Sequence, residues 1–290
     1  MRPVRPGDTV ALITPAGPAA PERLDAAVAA LEAWGLVVQR FAGSKHPEFP
    51  YLAGTDARRA ADFQAAWLDP AVSAVIAARG GYGTQRMLDL VDWAALRSVE
   101  PKVFTGSSDV TALHQAIAAR LGVPTLFSPM PAGVYWDDTA AEGLRLALAG
   151  EPVTAHGTEA LVAGSARGTT TGGNLSLLAA GVGTPEDRGA EGRIVLLEDV
   201  GEAVYRVDRM LTQLLRAGWF DGVAGIVLGS WTDCGDVRPV VLDRLGPLGV
   251  PILWGVSFGH HVGATTLPLG VEATVDTASL SVRVCGFPKR

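Results

Sequence analysis

The sequence predicts an α/β protein: an N-terminal parallel-sheet domain with flanking helices, then a C-terminal β-rich α/β domain. Three observations lead there. The apolar runs at Val10–Ile13, Val72–Ala77 and Val103–Phe104 show little polar alternation, as strands covered on both faces do. Apolar residues at helical spacing separate those runs, which calls for right-handed crossovers between parallel strands. From Gly168 onward glycine, threonine and short apolar runs dominate, and residues 271–284 alternate like the two arms of a hairpin. The expected boundaries are 1–150 for the first domain, 151–164 for a linker without strong periodicity, and 165–290 for the second domain.

In chain order, the strand at Val10–Ile13 ends in the turn Thr14–Pro18, and a helix starts near Pro21 with Leu24, Val28 and Leu31 on its buried face. Gly35 stops it and a second strand begins at Leu36–Val38. Gly43–Thr55 is a lid or an exposed connection, with His46 as a solvated loop residue. A second helix covers Asp56–Leu68 with Ala60, Phe63 and Trp67 inward, and Val72–Ala77 delivers the chain to Arg79-Gly-Gly-Tyr-Gly83. Arg86–Trp93 is a helical return to the strand at Val103–Phe104. Gly106, Ser107 and Ser108 then turn into a helix marked by Val110, Leu113, Ile117 and Leu121. Phe127–Met130 ends a further strand and Ala140–Ala149 is helical. In the second half, Thr171–Leu175 is a turn into a short helix. Ile194–Leu197 is a buried strand ending in Glu198 and Asp199, followed by a helix with Val204, Val207, Leu211 and Leu214 inward. Ile226–Leu228 and the start of Pro251–His261 are strands.

Composition narrows the functional classes. A hydrophobic content of 48% with 19% charged residues belongs to a folded α/β protein rather than a disordered or fibrous one. The net charge of −6, without any Lys/Arg-rich run, argues against nucleic acid as a partner. Two cysteines, Cys234 and Cys285, give neither a disulfide framework nor a C-x-x-C pair, and both read as small core residues. The early arginines and short apolar run raise a secretory signal, but Asp8 and the interrupting Pro15 make the segment a first core strand. No run approaches the roughly 18 apolar residues of a membrane span. A cytoplasmic protein without membrane association is expected.

Chemistry concentrates at four turns. Ser108, at the tip of a strand-turn-helix, fits a helix cap or a nucleophile beside free helix N–H groups. The glycines after Arg79 allow a ligand to approach the backbone, or simply pack closely. They match neither the dinucleotide fingerprint, because Arg86 occupies the third glycine position, nor a phosphate-binding loop with Gly-Lys-Ser/Thr. Glu198, Asp199 and Glu202 are a surface turn or a site. Asn174 caps a helix or points an amide at a ligand. His260 and His261 sit in a glycine-rich strand end, and His114 is a packed side chain or a reserve base. Adjacent histidines address one metal ion poorly, so no metal site is expected. A serine hydroxyl needs an imidazole to take its proton and a carboxylate to hold that imidazole. Ser108, Glu198 and His260 supply one of each.

The segments RGGYGTQRMLDLVDW (79–93), GSSDVTAL (106–113), GGNLSLL (172–178), LLEDVGEAVYRVDRML (196–211) and FGHHVGATTLPLG (258–270) resemble the LD-carboxypeptidases, cytoplasmic serine peptidases of peptidoglycan recycling. The resemblance runs from the first strand to the final hairpin, and it implies that the active site lies between the two domains. It implies Ser108 as nucleophile, Glu198 as acid and His260 as base, with Gly81 and the N–H of Asp109 as the oxyanion hole. It also implies a murein tetrapeptide substrate losing its C-terminal D-alanine, no cofactor, and a homodimer. Arg79, Tyr82 and Asn174 are the candidates for binding substrate. The related microcin self-immunity peptidases use the same serine frame on peptidyl-nucleotide substrates, which is the alternative activity; a non-catalytic ligand-binding module is the other. The family commonly has an aromatic residue or His before the nucleophile; here it is Ser107, which bears on the shape of the substrate pocket.

Overall fold

The computed structural model describes residues 1–41, 43 and 45–287, so Ser44 of the loop at 43–55 lies outside the described residues. Five parallel strands form most of the first sheet: β1 (Thr9–Ile13), β2 (Val37–Phe41), β3 (Val72–Ala77), β4 (Val103–Gly106) and β5 (Thr125–Phe127), in the order β2-β1-β3-β4-β5. Alternate residues of the central strands feed two separate cores. Val10, Leu12, Ala74 and Ile76 pack with Leu24 and Leu31 of α1 (Pro21–Glu32). Ala11, Ile13, Val75 and Ala77 pack with Phe63 and Trp67 of α2 (Asp56–Leu68). A strand buried on both sides needs apolar residues at every position, and this is why β1 and β3 read as unbroken runs.

The chain between β3 and β4 is not one helix. It folds as α3 (Thr84–Met87), a 3-10 turn at Leu88–Leu90 and α4 (Trp93–Arg97), because Asp92 caps α4 through the Ala95 N–H and begins a new helix. The helix after β4, α5 (Thr111–Arg120), and α6 (Asp138–Leu148), capped by Asp137, complete this half.

The segment 151–164, expected as a linker, carries β6 (Val153–His156) and β7 (Glu159–Val162), which form the two edges of the second sheet. Its short strands each bury little, so no strong period marks them. β8 (Ser165–Asn174) includes the glycines expected in a turn. Gly172 and Gly173 have φ of 118° and 129°, and a Cβ on Gly173 would stand 2.7 Å from Thr111 Oγ1. The glycines serve close strand and helix contact rather than reversal. α7 (Leu175–Ala180), β9 (Arg193–Val200), α8 (Val204–Arg216), β10 (Gly225–Thr232), α9 (Arg238–Leu245) and β11 (Ile252–Trp254) continue the α/β alternation, with β8 to β11 parallel.

The next strand, β12 (Leu267–Leu269), leaves this half and pairs antiparallel with β5, closing the first sheet. The division at 165 is therefore crossed by the chain. β13 (Glu272–Asp276) and β14 (Ser281–Val284) form the closing hairpin. Cys234 is buried, but Cys285 follows the last strand and is exposed, contrary to its expected place in a core. No helix among the described residues is long and apolar enough to cross a membrane.

Candidate active site

The turn after β4 holds Ser108 in the left-handed region, at φ 61°. Such a conformation costs a non-glycine residue about 1–2 kcal/mol and is retained where surrounding structure fixes it. Gly80 shows how tightly it is fixed: a Cβ there would lie 2.8 Å from Ser108 Cβ and 3.0 Å from its Oγ. Neither serine of the turn caps the helix in the ordinary way. Ser107 occupies the cap position without a side-chain bond and is buried, whereas Ser108 is partly exposed.

His260 is brought to the same place by the second half of the chain. Its backbone is clamped on both sides, with its N–H donating to Ser230 Oγ (2.8 Å) and its carbonyl accepting from Thr232 Oγ1 (2.6 Å). Nδ1 lies 2.6 Å from Glu198 Oε2. A carboxylate only accepts, so Nδ1 carries the proton and Nε2 is the free acceptor of the neutral ring. Burial pulls the imidazole pKa down, but the Glu198 charge and hydrogen bond, aided by Asp199, outweigh it and hold His260 above its ordinary value.

Glu198 is 0% exposed. Its Oε1 accepts from Asn174 Nδ2 (3.2 Å), and the same amide donates to Asp199 (2.9 Å). Asp199 also accepts from the Ser176 N–H and hydroxyl, at 2.9 and 2.7 Å. Thus the carboxylates at the end of β9 are not a surface turn. Of the two readings of Asn174, the helix cap holds: it is buried behind Glu198 and caps α7 through the Leu177 N–H, and it does not reach the cavity as a ligand-binding amide would.

Ser108 and His260 face one hollow of about 240 Å³, together with Arg23, Arg79, Gly81 and Tyr135. No hydrogen bond joins the serine and the imidazole, a looseness common before substrate tightens such contacts. Tyr135 stands edge-on to the His260 ring at 5.9 Å. The glycine turn is tied to the serine turn by Asp109, whose Oδ2 accepts from the Thr84 N–H (2.8 Å). Arg59, fully buried, donates to the carbonyls of Pro15 (2.6 Å) and Gly83 (2.7 Å) and pairs with Asp56. Burial lowers its pKa, while the charges of Asp56 and Asp109 oppose the shift. The N–H groups of Gly81 and Asp109 have no acceptor among the described residues.

The other expected residues divide. Arg79 borders the hollow and donates to the Pro18 carbonyl (2.9 Å). Tyr82 does not border it but stands outside, against Tyr51. His114 is excluded as a base: it is buried between Gly106 O (2.9 Å) and Thr125 Oγ1 (2.8 Å), and burial, opposed by the Gly106 bond, lowers its pKa to about 4. His46 receives the N–H groups of Glu48 and Phe49 within its loop. Arg23, Arg59, Tyr135, Ser230 and Thr232 went unnoticed in the sequence. Only Arg59 left a signal, as a charged residue in register with the apolar face of α2.

Residues 10–128 match the LD-carboxypeptidase N-terminal domain and residues 167–275 match the C-terminal domain. The chain belongs to the LD-carboxypeptidase family. It is 55% identical, over 95% of its length and 93% of the other's, to a Streptomyces coelicolor protein whose carboxypeptidase name is itself provisional. It is 32% identical, over 92% of both chains, to the murein tetrapeptide carboxypeptidase of Pseudomonas aeruginosa. The crystal structure of muramoyltetrapeptide carboxypeptidase from Oxalobacter formigenes superposes with a TM-score of 0.85 at 27% identity, covering 96% of this chain and 98% of that one. This LD-carboxypeptidase family member is a peptidase of two-sheet architecture.

Proposed function

We propose that the protein is a serine carboxypeptidase that cleaves an L,D-peptide bond and releases the C-terminal D-alanine of murein tetrapeptides during peptidoglycan turnover. The observation that carries this reading is the convergence of Ser108 from the first half with the Glu198–His260 pair from the second on one small hollow.

Ser108 Oγ attacks the scissile carbonyl while His260 Nε2 takes its proton. The carbonyl oxygen, now an oxyanion, is received by the N–H groups of Gly81 and Asp109, each worth roughly 10²–10³ in rate. His260 then protonates the departing amine of D-alanine, and water, activated by the same imidazole, releases the peptide and restores the serine. Glu198 keeps His260 in the reactive tautomer and stabilises its charge, and Asn174 with Asp199 keeps Glu198 in place. Arg23, in the first turn of α1 and bordering the hollow, is suited to the carboxylate of the leaving D-alanine.

The test is mass spectrometry of a murein tetrapeptide digest. The unaltered protein should yield the tripeptide and D-alanine, Ser108→Ala should slow this by about 10⁴-fold or more with the fold intact, and amidation of the terminal carboxylate should depress turnover. Full turnover by Ser108→Ala would refute the assignment.

A further inference from the structure

A hollow of about 240 Å³ receives one small terminal residue, not a tetrapeptide, so most of such a substrate must lie elsewhere. A second cavity of about 860 Å³ adjoins it, sharing Ala19, Ala20, Arg79 and Gly81 as a common wall. It opens where the chain leaves β1 toward β2 on one side and where β3 begins the progression to β4 and β5 on the other. This is the topological switch point of a doubly wound sheet, the crevice at which such folds bind ligands.

The chemistry of this groove is one-sided. Arg40, Lys45 and Arg79 line it, and no Asp or Glu does among the described residues. Arg40 is paired with Asp25 at 2.7 Å, whereas Arg79, in the shared wall, donates to the Pro18 carbonyl and has no carboxylate partner among the described residues. Tyr51 and Tyr82, 51% and 53% exposed, meet edge to face at 5.9 Å and form an amphipathic flank. A protein of net charge −6 thus collects cations and aromatic surface next to its nucleophile.

Resting on the function above, we propose that this groove is the acyl-side subsite, binding the acidic amino-terminal part of the peptide, with Arg79 and Lys45 receiving its carboxylates and Tyr51 and Tyr82 covering its aliphatic stem. The part of a murein stem peptide before the scissile bond carries free carboxylates from γ-linked D-glutamate and the diamino acid. The leaving side carries only one. Size and charge therefore assign the two sides of the bond to the two cavities.

The experiment measures, by calorimetry, equilibrium binding of the product tripeptide L-alanyl-γ-D-glutamyl-diaminopimelate to the Ser108→Ala protein, so that no turnover is needed. Lys45→Glu and Tyr82→Ala, each added to that background, should weaken binding about tenfold or more. The same charge change at the exposed, remote Arg216 should leave it unaltered. Absence of tripeptide binding, or groove variants that bind like their parent, overturns the subsite. Release of D-alanine by the unaltered protein is followed separately. Its absence beside intact, groove-dependent tripeptide binding would sink the reaction and leave the subsite standing.

Discussion

Ser108 and His260 are each held by backbone geometry that only a finished fold can maintain. The serine has φ 61° against Gly80, and a Cβ on Gly259 would come within 2.6 Å of Glu198 Oε2, so this glycine lets the carboxylate meet the imidazole. The raised pKa of His260 has a kinetic consequence. An imidazole that takes the serine proton, as proposed for His260, works only when neutral, so kcat/KM should climb with pH through a midpoint above the ordinary imidazole value of about 6.5. Glu198→Gln removes the charge that stabilises the imidazolium; the midpoint should move to lower pH, and the rate should fall by about 10³-fold or more. A pH–rate profile with an unmoved acid limb would show that Glu198 does not set the base.

At the scale of elements, α5 carries its own control. His114 joins α5 to β4 through Gly106 O and to β5 through Thr125, with Phe104 edge-on at 5.3 Å. Folded, it stays neutral down to about pH 4; in the unfolded chain it takes up a proton below about 6.5. Between those values the unfolded state binds more protons, so stability falls as pH falls, by about 3 kcal/mol across the window. Urea unfolding at pH 7 and pH 4.5 should show a smaller loss for His114→Gln than for the parent. Equal losses would exclude His114 as the cause. The elements themselves were well marked in the first half, where β1, β3 and α2 follow the period of their apolar residues. The glycine-rich β8 and the edge strands β6 and β7 were not, because backbone pairing with β9, β14 and β11 defines them rather than side-chain pattern.

The two halves form a single molecule because β12 crosses back to β5 and Thr170 Oγ1, on β8, donates to the Pro268 carbonyl of that strand (2.9 Å). Asn174 N–H donates to Thr111 Oγ1 (3.1 Å), fastening the residue behind Glu198 to the helix that follows Ser108. Equilibrium denaturation should then be one transition, with tryptophan fluorescence and far-ultraviolet dichroism coinciding. The tryptophans report on both halves, at 34, 67, 93 and 136 and at 219, 231 and 254. Two separated transitions would show that the crossing strand does not couple them.

The sequence by itself determined the α/β class and the buried strands of the first half, and it offered Ser108, Glu198 and His260 as candidates, since hydrophobic period and turn composition are local properties. Only the tertiary structure decided that Glu198 is buried rather than on a surface turn, that Asn174 supports it instead of touching ligand, and that Tyr82 belongs to a neighbouring groove. It alone brought Arg23 and Arg59 to the site. Those outcomes depend on which distant backbone comes within a few ångströms, and close approach between residues tens or hundreds of positions apart leaves no local trace in the chain.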